Sequence, residues 1–369
     1  MKTVFLDNEP NWLKDFRESS FNLAKIIIPE TEINPLISTS KTLYEDNNAL
    51  EILDINEAIS KNQEFFQKYF QDKAIFPHTE RDLLINNAFF NSGLFIKVPK
   101  NTNIKIPLIL NTKADNIVEK NIILLEENSS LTIIHNLDSD SLAKRNSSLE
   151  VFQKENSTLN FIELQKFGNN MENVSAKAFI LDKNANLNHS FICLGSNYTK
   201  TFTDFYLNGE NSQLKDIELF FGSSSQNFDL NTTVNHNKPF TSSEVLIKGA
   251  LKDSSRCLSN GMIRISKDGQ KTKSFLSDHA LILNPGAKAD AVPGLEIEAN
   301  DVQAGHSASV GRIDEDQLFY LMSRGLSKDE AKHAIITGFF NPVLELLSED
   351  LRETFLTLIK QKLVYEKTN

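Results

Sequence analysis

Five short segments recur along this chain at an almost fixed offset, and that spacing narrows the folds open to it more than any other feature. They read NTNI at 101–104, NSSL at 128–131, NSTL at 156–159, NANL at 184–187 and NSQL at 211–214. The asparagines Asn101, Asn128, Asn156, Asn184 and Asn211 step by 27, 28, 28 and 27 residues, and so do Ile104, Leu131, Leu159, Leu187 and Leu214. Short alternating stretches lie around them (LFIKV, IILLE, LEVFQ, AKAFIL and TDFYLN), the period-two pattern of strands. A period near 28 residues made of strands and turns predicts a parallel β-helix, a solenoid whose coils stack because no coil can bury its own apolar face. Asparagine suits the corners, since it tolerates left-handed backbone and bonds to its own turn. The aliphatic residue three positions on would then stack into a core ladder, coils being roughly 4.8 Å apart. The competing arrangement is a β-sandwich with regular strand spacing, which does not require five matching offsets. After Leu214 the period blurs, and NPGAKA at 284–289 reads as a related turn.

Both flanks are helical in pattern. Trp12, Phe16 and Leu23 follow Pro10 at roughly helical spacing, and Pro29 and Pro35 then interrupt it. Asp54 with Glu57 reads as a capping box ahead of Ile55, Ile59, Phe66, Tyr69 and Phe70. Pro77 ends that helix, and Thr79 to Phe90 reads as another short one. After Arg312, Asp314 with Gln317 caps a segment carrying Leu318, Leu321 and Met322 that stops at Gly325. Ser327 with Glu330 opens a second helix, broken at Asn341-Pro342. Leu351, Phe355, Ile359 and Leu363 share one ridge of a last helix. The expected organisation is a helical region over 1–93, a solenoid over 94–311 and a helical region over 312–369.

A chain of 369 residues with 40% hydrophobic and 24% charged content buries a sizeable core. Its formal charge of -10, with no basic run, argues against a nucleic-acid or anionic-membrane surface. Asp7, Glu9 and Asp15 do not fit a signal or transit peptide, and the apolar runs are short, so a cytoplasmic protein is expected. Two cysteines, Cys193 and Cys257, make no disulfide framework and suit a reducing compartment. They also fall short of the four thiolates that usually hold an iron–sulfur cluster. There is no P-loop, no H-E-x-x-H and no C-x-x-C, and Gly305-His306-Ser307-Ala308-Ser309 lacks the second glycine and the context of a nucleophile elbow. The seven histidines are scattered, and most read as surface or turn residues. A β-helix polysaccharide lyase or hydrolase would need clustered acidic or basic residues on one sheet face, and none stands out.

Two segments resemble the SufB/SufD family of iron–sulfur cluster assembly scaffolds. One is INNAFFNSGLFIKVPKNTNI at 85–104. The other lies within Ser259–Phe340 and includes SNGMIRISKDGQKTKSF, PGLEIEANDVQAGHSASVGRIDEDQLFYLMSRGLS and AKHAIITGFF. The resemblance implies a mainly β fold, a right-handed parallel β-helix flanked by N-terminal and C-terminal α-helical regions. It implies a non-enzymatic scaffold of the SUF machinery that pairs with SufB through the β-helix, or with itself when alone. It also implies that the carboxy-terminal helices bind the ABC-type ATPase SufC, with Phe319, Tyr320 and Arg324 in LFYLMSRG as anchors. SufB-like sequences carry Glu after the motif histidine and a cysteine one coil earlier; here Ser307 and Ser277-Asp278-His279 stand in those places, so the likeness is to SufD. Many SufD-like sequences read C-S-H-G at the motif, whereas this one reads Ala304-Gly305-His306-Ser307 and has lost the thiolate. The resemblance gives His306 a role in handling iron or a cluster transiently, shared with SufB; an architectural subunit that touches no metal is the alternative. His279 lies 27 residues before His306, and if the period persists there the two imidazoles stack on adjacent rungs and could reach one iron.

Overall fold

The computed structural model describes residues 9–27, 42–44, 49–71, 81–113, 116–347 and 349–364. Pro29, Pro35 and Pro77 lie outside them. Within them the amino-terminal helices are α1 (Asn11–Ile27), α2 (Ile55–Lys61), α3 (Gln63–Gln71) and α4 (Arg81–Phe89), with short strands β1 (Thr42–Tyr44) and β2 (Glu51–Asp54). The solenoid begins with β3 (Leu94–Val98), β4 (Leu108–Lys113), β5 (Asn116–Leu125), β6 (Ser130–Ser139), β7 (Ala143–Gln153) and β8 (Thr158–Phe167). It continues through β9 (Met171–Leu181), β10 (Asn186–Cys193), β11 (Tyr198–Leu207), β12 (Gln213–Gly222), β13 (Asn227–His236) and β14 (Ser242–Leu251). The last strands are β15 (Arg256–Ile265), β16 (Lys273–Ile282), β17 (Lys288–Ile297) and β18 (Gln303–Arg312), and the chain closes with α5 (Glu315–Ser323), α6 (Lys328–Leu344) and α7 (Glu349–Val364).

From β3 onward each coil contributes one strand to each of two nine-stranded sheets, so eight two-strand coils stack in parallel among the described residues. The even-numbered strands from β4 to β18 form the first sheet and the odd-numbered ones from β3 to β17 the second; β1 and β2 cover the amino-terminal edges antiparallel. The fold is the parallel β-solenoid that the repeat predicts.

The five corner asparagines have φ of 59°, 56°, 59°, 54° and 61°, the left-handed region. Their side chains form a continuous ladder: Asn128 Nδ2 donates to Asn101 Oδ1, and the Asn156–Asn128, Asn184–Asn156 and Asn211–Asn184 steps repeat it, each at 2.9 Å. Leu131, Leu159, Leu187 and Leu214 pair in register and are buried in one core running the length of the lumen. Beyond Asn211 the same corner continues with non-asparagine residues at positive φ, Phe240 and Lys271, spaced by 29 and 31 residues. The period is stretched there rather than lost. NPGAKA sits on the opposite edge of the stack. Asn284 Oδ1 accepts from the Asp253 backbone N–H and Asp253 Oδ2 from that of Ser224, both at 2.7 Å, so it belongs to a second corner column.

The flanking helices cover the outer sheet faces. In α1 the buried face is Leu13, Arg17, Phe21 and Ala24, while Leu23 points outward at 41% exposure, so the sequence pattern had the wrong stripe. Trp12 and Phe16 pack at the edge of that cluster. Asp54 caps α2 through the Asn56 backbone N–H, but the helix stops at Asn62 and α3 starts afresh, giving two helices where one is read from the spacing. At the other end, Ser327 and Glu330 make the reciprocal capping box of α6, and Gly325, at φ 99°, terminates α5. Pro342 does not break α6, which runs on to Leu344. Phe340, Val343 and Leu344 are wholly buried against the first sheet, and that packing outweighs the proline's missing N–H. Phe355 and Ile359 of α7 complete the same cluster, and Leu351 on the same ridge is also buried.

Candidate functional site

The two ends of the solenoid differ. The amino-terminal end is covered by β1, β2 and helices, whereas β17 and β18 each pair on one side only. Most of their residues are exposed, among them Val292 and Val310 at about half of full exposure. An open sheet edge of this length normally invites another chain.

His306 and His279 both lie at this end, but they do not meet. Register pairs His306 with Leu276 and His279 with Ser309, because the coil here spans 30 residues rather than 27. Leu276, Asp278 and Ala280 are buried toward the lumen, so His279 between them points outward, while His306 takes the lumen-facing side of the terminal coil over Leu276. The imidazoles are on opposite faces, and the stacked pair expected from the 27-residue offset is overturned. His279 is committed elsewhere: Nδ1 lies 2.7 Å from Ser309 Oγ, and partial burial together with the neighbouring Lys248 lowers its pKa and favours the neutral ring. Lys248, its partner in register, donates to the Phe339 carbonyl of α6 at 2.7 Å. Among the described residues no group of three His, Cys, Asp or Glu side chains is placed to hold a metal ion. Cys193 and Cys257 are buried in the lumen, and burial pushes the first thiol to about 12 and the second well above its usual value. Neither is poised to ligate as a thiolate.

The lumen also holds chemistry that the sequence reading passed over. His135, His189 and His236 are buried, not surface residues. Lys177 Nζ donates to Glu163 Oε1 at 2.8 Å, and Arg145 Nε to Glu119 Oε1 at 2.8 Å. Burial would raise the Glu163 pKa, but Lys177, Arg145 and His135 outweigh it and hold the carboxylate at about 2. Two coils on, the balance reverses. His189 Nδ1 lies 2.6 Å from Asp216 Oδ1; burial lowers the imidazole to about 3 and raises the carboxyl to about 7, so it favours the uncharged form of each group. His135 and Glu163 lie four residues beyond Leu131 and Leu159, and His189 and Asp216 two residues beyond Leu187 and Leu214, so these four share the inward parity of the leucine ladder. That offset was the available signal.

The carboxy-terminal helices present a second surface. Leu318 is buried beneath α5, while Phe319 (73% exposed), Tyr320 (55%) and Met322 (42%) stand in solvent. The Arg324 guanidinium lies 5.2 Å from the Tyr320 ring centroid and donates to its hydroxyl at 3.1 Å, holding that ring upright. Tyr320 also lines a shallow depression with Leu321 and Ile335.

The family described as "SUF system FeS cluster assembly, SufBD core domain" matches residues 108–339, well over half of the chain. The chain belongs to the SufBD family. An iron-sulfur cluster assembly SufBD family protein of Staphylococcus saprophyticus is 25% identical over 373 residues, covering 96% of this chain and 80% of the relative. Similar proteins of Staphylococcus epidermidis and Staphylococcus aureus are 25% identical over 371 residues, covering 95% of this chain and 79% of each relative. The SufBD match runs from β4 through the open terminal coil to Phe339 of α6, and so includes His306 and the exposed side chains of α5. No described helix is long and apolar enough to cross a membrane.

Proposed function

We propose that this SufBD family member is a SufD-like, non-enzymatic scaffold of the SUF system, working in the cytoplasm. Residues 1–93, 94–311 and 312–369 act as its amino-terminal cover, coiled core and ATPase-docking region. The observation that carries the reading is the asymmetry of the solenoid: one end covered, the other left as two unpaired strand edges bearing exposed apolar side chains. A SufB-like scaffold meets β17 and β18 there, and a second copy of this chain takes its place when SufB is absent. α5 offers Phe319, Tyr320 and Arg324 to a SufC-like ATPase, an aromatic and arginine composition typical of binding anchors.

Iron or a nascent cluster is cargo. His306 is the imidazole of the terminal coil, and one imidazole is an incomplete set, so SufB supplies the remainder. His279 is held by Ser309 and is left out of this site. The test is reconstitution with SufB-like and SufC-like partners, followed by iron and acid-labile sulfide determination. His306→Ala is expected to lower both while the complex still assembles. Unchanged iron and sulfide would leave the chain a purely architectural subunit.

A further inference from the structure

A cavity of about 490 Å³ lies where α6 and α7 pack against the edge of the solenoid, its lining including neither His306 nor the exposed aromatics of α5. Its floor is apolar, made by Leu283, Ile313, Ile336 and Leu363. Its walls carry the ammonium groups of Lys252, Lys332 and Lys360. Lys252 is the most constrained of these. Its side chain is 8% exposed, and its nearest carboxylate oxygen, Asp253 Oδ2, is 3.9 Å away and already accepts the Ser224 backbone N–H. Lys332 and Lys360 have no hydrogen-bond or ion-pair partner among the described residues.

Two carboxylates share the lining, and neither answers these lysines. Glu330 is bound back to Ser327 in the capping box, and Asp329 stands in the first turn of α6, where it offsets the positive end of the helix. The lining sets three lysines against two carboxylates, and Asp253, 3.9 Å from Lys252, brings the charges level. What distinguishes the hollow is that Lys332 and Lys360, beside an apolar floor, have no anionic partner among the described residues and can take one from a ligand. The volume falls in the range of small-molecule sites, and apolar lining with a few convergent charges is their usual make-up.

We propose that this cavity binds a small amphiphilic monoanion, an aliphatic or aromatic carboxylate whose acid group is held by Lys252 and Lys360 and whose hydrocarbon lies on Ile313 and Ile336. Its occupancy would brace the carboxy-terminal helices against the solenoid. Isothermal titration calorimetry on the full chain with decanoate, and with decanol as the neutral analogue, tests this. Decanoate is expected to bind saturably at one site, and decanol at least tenfold more weakly. The double variant Lys252→Met/Lys360→Met should lose at least tenfold in decanoate affinity without changing that for decanol, whereas Lys105→Met, on the exposed surface, should change neither. Equal affinity for decanoate and decanol, or no saturable decanoate binding, overturns the proposal, and that comparison on the wild-type chain decides even if the double variant fails to fold.

Discussion

Asn156 combines two demands at one residue: a left-handed backbone, and a carboxamide that both donates to Asn128 and accepts from Asn184. Asn156→Gly keeps the backbone accessible and loses only the ladder bonds, which are part-exposed and worth about 1 kcal/mol or less each. Asn156→Val loses the same bonds and adds the left-handed cost of a β-branched residue, roughly 1–2 kcal/mol. Urea unfolding should therefore rank wild type above Asn156→Gly above Asn156→Val; equal midpoints for the two variants would mean that the corner relaxes. A second residue-scale prediction concerns pH. Asp216 has a folded-state pKa raised by burial from 3.8 to about 7, so its contribution to stability is full below about pH 4 and is lost as pH rises to 7. His189, lowered by burial to about 3, contributes in the opposite sense: fully above 6.5, and progressively less as pH falls. Asp216→Asn should remove its own share of the decline between pH 4 and pH 7 and lessen that of Glu218, which burial and then the Asp216 charge raise to about 7, while Asp204 and Asp278, raised by burial to about 6, keep theirs. Melting temperatures at pH 4, 5.5 and 7 check this, and an unchanged slope would refute it.

At the scale of elements, what could be read from sequence was whatever depends on local chemistry. The Ser327–Glu330 capping box, the Asp54 and Asp314 caps, the glycine stop after α5 and the asparagine corners each follow from a backbone group that needs a particular neighbour, and each was legible, although Asp54 caps through Asn56 without the reciprocal Glu57 bond of a box. Pro342 was not, because what keeps α6 continuous is Phe340, Val343 and Leu344 buried against strands far back in the chain, from Leu164 of β8 to Leu281 of β16. Leu23 failed for a related reason. Its spacing fits a helix stripe, but the partner surface selects Leu13, Arg17, Phe21 and Ala24. The element on which the proposed docking turns is α5, whose exposed Phe319 and Tyr320 take no part in the core. Phe319→Ala with Tyr320→Ala should leave the circular-dichroism spectrum intact while weakening capture of a SufC-like ATPase at least tenfold, as expected for aromatic anchors worth about 2 kcal/mol. Full-strength capture would move the docking surface away from α5.

Taken as a whole, the molecule shows why its candidate site was only half legible. Motif resemblance singled out His306, whereas the regular repeat read from the sequence ends at Leu214, well short of the coil that carries it. The pairing with His279 rested on carrying a 27-residue step into a region where coils span 29–31, and a register change in a strand swaps its faces. The lumen charges were legible in principle from parity, yet a buried Glu163–Lys177 pair looks in sequence like ordinary surface composition. At this scale the prediction concerns the open end. Val292→Lys with Val310→Lys places two charges on exposed positions, so monomer stability should move by no more than about 0.5 kcal/mol. Co-purification with a SufB-like partner should be lost. Retained pairing would show that the scaffolds meet elsewhere.

The asparagine ladder also acts as a gauge on the length of the chain. From Asn128 to Asn211 the corner that carries the carboxamides holds four or five residues, as between β7 and β8 at 154–157. It is still five at Phe240, between β13 and β14 at 237–241, and grows to seven at Lys271, between β15 and β16 at 266–272. A residue inserted under the ladder would pull one amide out of line with the two it touches, whereas one inserted beyond it meets no such column. Drift in length is thereby confined to the coils nearest the open end, where the shape presented to a partner can change while the covered end holds its dimensions.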